Sequence, residues 1–146
     1  MLSSTQNIGA RKMNSRSKTA TFLVGFGCVV LLASAGLHSF AYTKLSPTVS
    51  ASNLAQNLQS VFRVAFLSMA WNHLVLAIIA WIATLGEARL RKPLVLICGF
   101  AVLIQAIFTV PFVGFFIGNE MIGVASLLIL CGGFLLTPPS VELSNR

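Results

Sequence analysis

Acidic side chains are almost missing from this sequence: there is no aspartate, and only Glu87, Glu120 and Glu142 carry a carboxylate. All three fall outside or at the edges of apolar runs, which excludes a small multidrug exporter, whose coupling site is a membrane-embedded carboxylate. Charge of either sign is scarce too. Charged residues make up 9% of the chain, far below the roughly 25% of an ordinary soluble domain. Cysteine is limited to Cys28, Cys98 and Cys131, each inside an apolar run and none in a CxxC or CxH spacing. A disulfide framework, a zinc site and a quinone-linked thiol oxidase are therefore unsupported, and packing is the expected role of these thiols.

What the sequence does have is long hydrophobic runs. Its hydrophobic content is 56% and its mean hydropathy +0.87, and crossing a hydrocarbon core of ~30 Å takes about 20 mostly apolar residues. Lipid admits only helices or closed barrels, because backbone groups cannot be left unpaired there, and unbroken runs select helices. Four spans are predicted at about 21–42, 60–85, 94–118 and 121–138, giving an all-α integral membrane four-helix bundle. Residues 1–20 read as a disordered basic tail and 139–146 as a short tail. A basic n-region, an apolar core and Ala33-Ser34-Ala35 also resemble a cleavable signal peptide, but the apolar core continues through Leu37, Phe40 and Tyr42, long enough to span.

Orientation follows from the cations. Arg11, Lys12, Arg16 and Lys18 precede the first span, and Arg89, Arg91 and Lys92 fill the link between the second and third, whereas the other links offer only Lys44. Lysine and arginine in short loops stay on the cytoplasmic side, so both termini are expected there, in a multi-pass protein of the cytoplasmic (inner) membrane. The formal charge of +7 is accounted for by this topology and by anionic headgroups, with no nucleic-acid partner. In the link TKLSPTVSASNLAQNLQS, Pro47 predicts an extended or turn conformation. Asn119-Glu120 predicts a tight turn, making the third and fourth spans antiparallel neighbours. Gly114 and Gly118 form a GxxxG expected on the third span, and Gly132-Gly133 lies in the fourth; both are candidate helix-packing sites.

The polar residues inside the spans are the candidate functional ones. Ser68, Asn72 and His73 on the second span, with Gln105 on the third, form a candidate mid-membrane polar site. Its simplest role is an interhelical hydrogen-bond set, and its sharper role a ligand or proton-handling site, since histidine titrates near neutrality. Trp71 is expected to pack inside the bundle. Arg63 is expected to snorkel at the boundary and, with His38 and Glu120, forms a second candidate cluster in the outer leaflet. Counting ~1.5 Å per residue from the predicted span ends places His38 ~6 Å and His73 ~20 Å deep. That offset of ~14 Å argues against a bis-histidine haem or metal site within one chain, so no catalytic residue, metal or cofactor is implied.

AGLHSF at the end of the first span and RVAFLSMAWNH in the second resemble small bacterial four-helix membrane proteins of uncharacterised activity. In these a Gly-x-His closes the first helix and a Trp with a nearby His marks the second, matched here by Gly36, His38, Trp71 and His73. The resemblance covers the first half of the chain and implies a fold without an activity. Glutathione-using membrane enzymes carry Arg, Asn and Glu on their second helix, and the glutamate is missing here. The sequence thus predicts a small non-enzymatic membrane protein, a structural or accessory subunit whose partners are the bilayer and other integral membrane proteins or copies of itself. A transporter or small-molecule-binding protein using the mid-membrane polar site is the alternative, and a redox accessory placing His38 near a quinone is the third reading.

Overall fold

The computed structural model describes residues 15–136. They form four helices: α1 (Ser15–Ser50), α2 (Gln56–Leu85), α3 (Ala88–Val113) and α4 (Ile117–Leu135). No strand occurs among the described residues, and all four helices are long and apolar enough to cross a membrane. The tail at 139–146 and the first fourteen residues lie outside the described residues. Residues 15–20, expected in a tail, are already helical.

The links between helices are two to five residues long, and connections this short make successive helices antiparallel neighbours. The bundle closes as a ring in which α1 packs on α2 and α4, and α3 on α2 and α4. The α1–α4 seam sets its register. On α1 the buried residues Ala20, Val24, Gly27, Leu31, Ser34 and His38 recur at alternating steps of four and three. On α4, Gly118, Ile122, Ala125, Ile129 and Gly132 do the same. Such steps hold one stripe facing one partner, as in the left-handed packing of near-parallel helices.

Glycine lets this seam close. A Cβ on Gly132 would lie 2.6 Å from Val24 Cγ2 and 2.8 Å from the Ala20 carbonyl oxygen, and one on Gly27 would lie 2.7 Å from Ile129 Cγ1. Gly133 faces the other way, where a Cβ would lie 2.9 Å from Leu96 Cδ2 on α3. The Gly114–Gly118 pair does something different from the packing motif expected of it. Gly114 is the C-cap of α3, at φ 79 with its N–H donating to the Val110 carbonyl at 2.8 Å, and it borders open space. That left-handed backbone favours glycine and ends the helix, so Gly118 belongs to α4 and no single helix face carries both.

Two other local expectations are corrected. Pro47 lies inside α1, which runs to Ser50. The ring removes one hydrogen bond near the helix end, while the Ala51 N–H still reaches the Pro47 carbonyl at 3.0 Å and the Ser50 hydroxyl the Ser46 carbonyl at 2.8 Å. The turn after α3 falls at residues 114–116 rather than at Asn119-Glu120, both of which belong to the first turn of α4. Gln59 closes the α1–α2 link by donating to the Ser52 and Leu54 carbonyls. Because His38 and Gly118 border one cavity, α1 continues about twelve residues, ~18 Å, beyond the level at which α4 begins. The α1–α2 hairpin therefore projects past the α3–α4 turn.

The seam makes a specific prediction. Gly132→Ala should lower the melting temperature in detergent, at a cost of about 1–3 kcal/mol for forcing a methyl against backbone and Val24. Gly36→Ala, where a Cβ meets nothing within 4 Å, should be neutral or stabilising by up to about 1 kcal/mol through helix propensity. Parallel thermal unfolding of the two variants reads the difference.

Candidate functional site

Heptad-like spacing carries two polar residues into the interior of the bundle. Ser34 and His38 are one turn apart on the buried stripe of α1, so both face the partner helices. His73 is fully buried on α2. The ring centroids of His38 and His73 lie 5.2 Å apart at 84°, and Phe66 stands 5.5 Å from His38 on the other side. Edge-to-face contact of this kind suits aromatic quadrupoles.

Hydrogen bonds tie the pair into a chain across three helices. The Asn72 side-chain N–H donates to Gln105 Oε1 at 2.7 Å. Gln105 Nε2 stands 3.0 Å from His73 Nε2, and with its oxygen committed to Asn72 it is the donor. In this arrangement of the amides a neutral His73 carries its proton on Nδ1, which faces Ser34 Oγ at 3.5 Å, the long limit of such a bond. His38 Nδ1 lies 3.0 Å from the Ser34 carbonyl. A carbonyl only accepts, so His38 is protonated on Nδ1, and in the neutral ring Nε2 presents a lone pair. Every polar atom of the His73 ring is thus engaged, and His38 Nε2 is the open one.

The closeness of the two histidines overturns the ~14 Å offset expected from residue counting. Counting from the ends of the apolar runs takes no account of the projecting hairpin. His73 is level with Ser34, one turn or ~6 Å from His38, and Gln105 is eight residues, ~12 Å, below the end of α3. In addition, helical side chains lean toward their own N-terminus, so in this antiparallel pair His38 and His73 lean toward each other.

The other expected members are placed elsewhere. Ser68 is exposed and returns its hydroxyl to the Ala65 carbonyl at 2.8 Å, outside the chain of hydrogen bonds. Trp71, expected inside, is 60% exposed on the outer face of α2. Asn72 and His73 are adjacent, and successive residues on a helix are about 100° apart, so burial of His73 turns Trp71 outward. The cluster of His38, Arg63 and Glu120 is not assembled: Arg63 Nη2 donates to Ser50 Oγ, His38 turns to Ser34 and His73, and Glu120 is exposed in the first turn of α4. Ser34 is the member that residue reading missed. Its signal was present, a small polar residue four before a histidine in an apolar helix.

No group of three or more histidine, cysteine or acidic side chains that could hold a metal occurs among the described residues. No protein-family model matches the chain, and neither a curated protein nor a solved structure is similar to it.

Gln105 joins Asn72 to His73, which sets its energetic role. His73→Leu and Gln105→Leu should each destabilise the bundle by about 0.6–2 kcal/mol per hydrogen bond lost, and the double variant by less than the sum. His73→Gln, which can still bond Gln105, should keep most of the stability. Unfolding of the set in one detergent gives the coupling energy, and strictly additive losses would show that the two side chains do not act together.

Proposed function

We propose that this chain is a small non-enzymatic integral membrane protein that works by associating with other membrane helices, as a structural or accessory subunit of a larger membrane assembly. The observation that carries the reading is the state of Asn72. Its carboxamide is exposed and makes a single hydrogen bond, to Gln105, at a depth of ~12 Å below the end of α3. One N–H and the carbonyl oxygen therefore meet hydrocarbon. Unsatisfied polar groups in lipid cost several kcal/mol each, and interhelical hydrogen bonds from asparagine are a principal means of joining membrane helices.

The surrounding surface fits the same reading. Trp71 and Ser68 are exposed beside Asn72. On the α1 side of α2, away from the α3 side where Asn72 bonds Gln105, lies a separate groove of about 390 Å3, lined on α1 by the small residues Ala35, Gly36 and Ser39 and on α2 by Leu67, Trp71 and Leu74. Small residues at a helix surface permit close approach by another helix. The distribution of cations supports a topology with both termini on the cytoplasmic side of a bacterial inner membrane and the projecting α1–α2 hairpin, which carries Lys44 and Arg63 and no acid, on the opposite side.

Two measurements test this proposal. Asn72→Leu should remove co-purifying membrane subunits in mild detergent, or shift the native-gel mass if the partner is a second copy, while melting within about 2 kcal/mol of wild type. An unchanged assembly would dismiss this face as the interface. For orientation, single cysteines are placed at Thr48 and Leu90 after replacing Cys28, Cys98 and Cys131. The first should react with an impermeant maleimide on intact cells and the second only after lysis, and the opposite pattern would reverse the topology.

A further inference from the structure

His38 borders a cavity of about 220 Å3 between α1, α2 and the start of α4. Its walls are Leu37, Ala41, Phe66, Phe116 and Gly118 with neighbouring Ile117, so His38 is the one lining side chain able to hydrogen-bond. The nitrogen it has available is fixed. Nδ1 is bound to the Ser34 carbonyl at 3.0 Å, which leaves Nε2 as an acceptor with no hydrogen-bond partner among the described residues. An occupant that satisfies it must donate a proton.

We infer that this cavity binds the head of a membrane-dissolved phenol or quinol, its ring between Phe66 and Phe116 and its hydroxyl donating to His38 Nε2. Size selects a single ring, because sites for drug-sized molecules run to ~300–1,000 Å3. Aromatic walls select a flat occupant. Phe66 already stands against His38 with ring centroids 5.5 Å apart, and offset or edge contact with a further ring continues that arrangement. Phe116 lies over the first turn of α4 because residue 118 is glycine: a Cβ there would be 2.6 Å from Phe116 Cε2. An apolar tail has an exit past Leu37 and Ile117, which are 38% and 68% exposed. An acyl chain fills the same space but offers no donor, leaving the imidazole lone pair unmet in apolar surroundings. This site faces α4 and is separate from the Asn72 face, so either assignment can fail without the other.

The test uses the full-length protein in lipid nanodiscs under anaerobic conditions, with decylubiquinol, its oxidised quinone and its dimethyl ether as probes. Decylubiquinol should raise the melting temperature saturably. The quinone and the ether, which have no phenolic O–H, should bind about tenfold or more weakly, the expected effect of leaving a buried acceptor unpaired. His38→Phe keeps an aromatic ring and removes the acceptor, and should erase the preference for the reduced form. Ala41→Phe fills the cavity with His38 intact and should abolish binding of all three probes. Equal affinity for quinol and ether in the wild-type protein would overturn the inference without recourse to any variant, as would absence of binding or quinol binding unchanged by Ala41→Phe.

Discussion

The close approach of α1 to α4 is the constraint from which the rest of the structure follows. With no Cβ at Gly27 or Gly132, the two helices meet backbone to side chain along most of their shared length. In lipid this matters more than in water, because lipid tails are as apolar as the side chains and helices associate through packing and hydrogen bonding. The seam fixes the rotation of α1 about its axis. Once Val24, Gly27 and Leu31 face α4, the next steps of the same stripe, Ser34 and His38, must also face inward.

That rotation obliges the neighbours to supply polar partners. An imidazole and a hydroxyl turned into the bundle need donors and acceptors there, and α2 and α3 provide them with His73, Asn72 and Gln105. Only Gln105 carries both a donor and an acceptor long enough to span from α3 to two residues of α2. The hydrogen-bond chain begins at an exposed carboxamide and reaches a buried serine, so the outer face of α2 and the interior are joined by continuous contacts. Helix α2 turns an apolar face outward at this level, with Trp71, Val75 and Ile78 all exposed.

Apolar runs of sufficient length made the four helices legible, and short links made their antiparallel order legible. The link ends were not. Pro47 and the Gly114–Gly118 pair depart from the usual effects of these residues: a proline close to a helix end costs little, and Gly114, with positive φ, terminates a helix instead of packing one. Depth was the larger error. Residue counting assumes that each helix starts at the membrane boundary, and the polar tip of the α1–α2 hairpin stays helical well beyond the level of the α3–α4 turn. Asn72, His73 and Gln105 were readable as polar residues in apolar helices. Their joining to Ser34 and His38 depends on the rotation of α1, which is set by contacts with α4 more than eighty residues away in the chain.

The two histidines, though in contact, differ in how firmly their protons are placed. His73 faces an amide and a hydroxyl, groups that can each donate or accept. Turning the Gln105 amide over, with Asn72 turning in step, would move the His73 proton from Nδ1 to Nε2 and leave every bond in the chain made. Two arrangements of that ring therefore satisfy the same atoms. His38 has no such freedom, because its Nδ1 faces a backbone carbonyl, an acceptor that no rotation converts into a donor. Whichever way the amides stand, neutral His38 keeps its proton on Nδ1 toward Ser34 and its lone pair on Nε2. The fixed member of the pair is the one that borders open space, and the adjustable member is the one enclosed by side chains that can adjust with it.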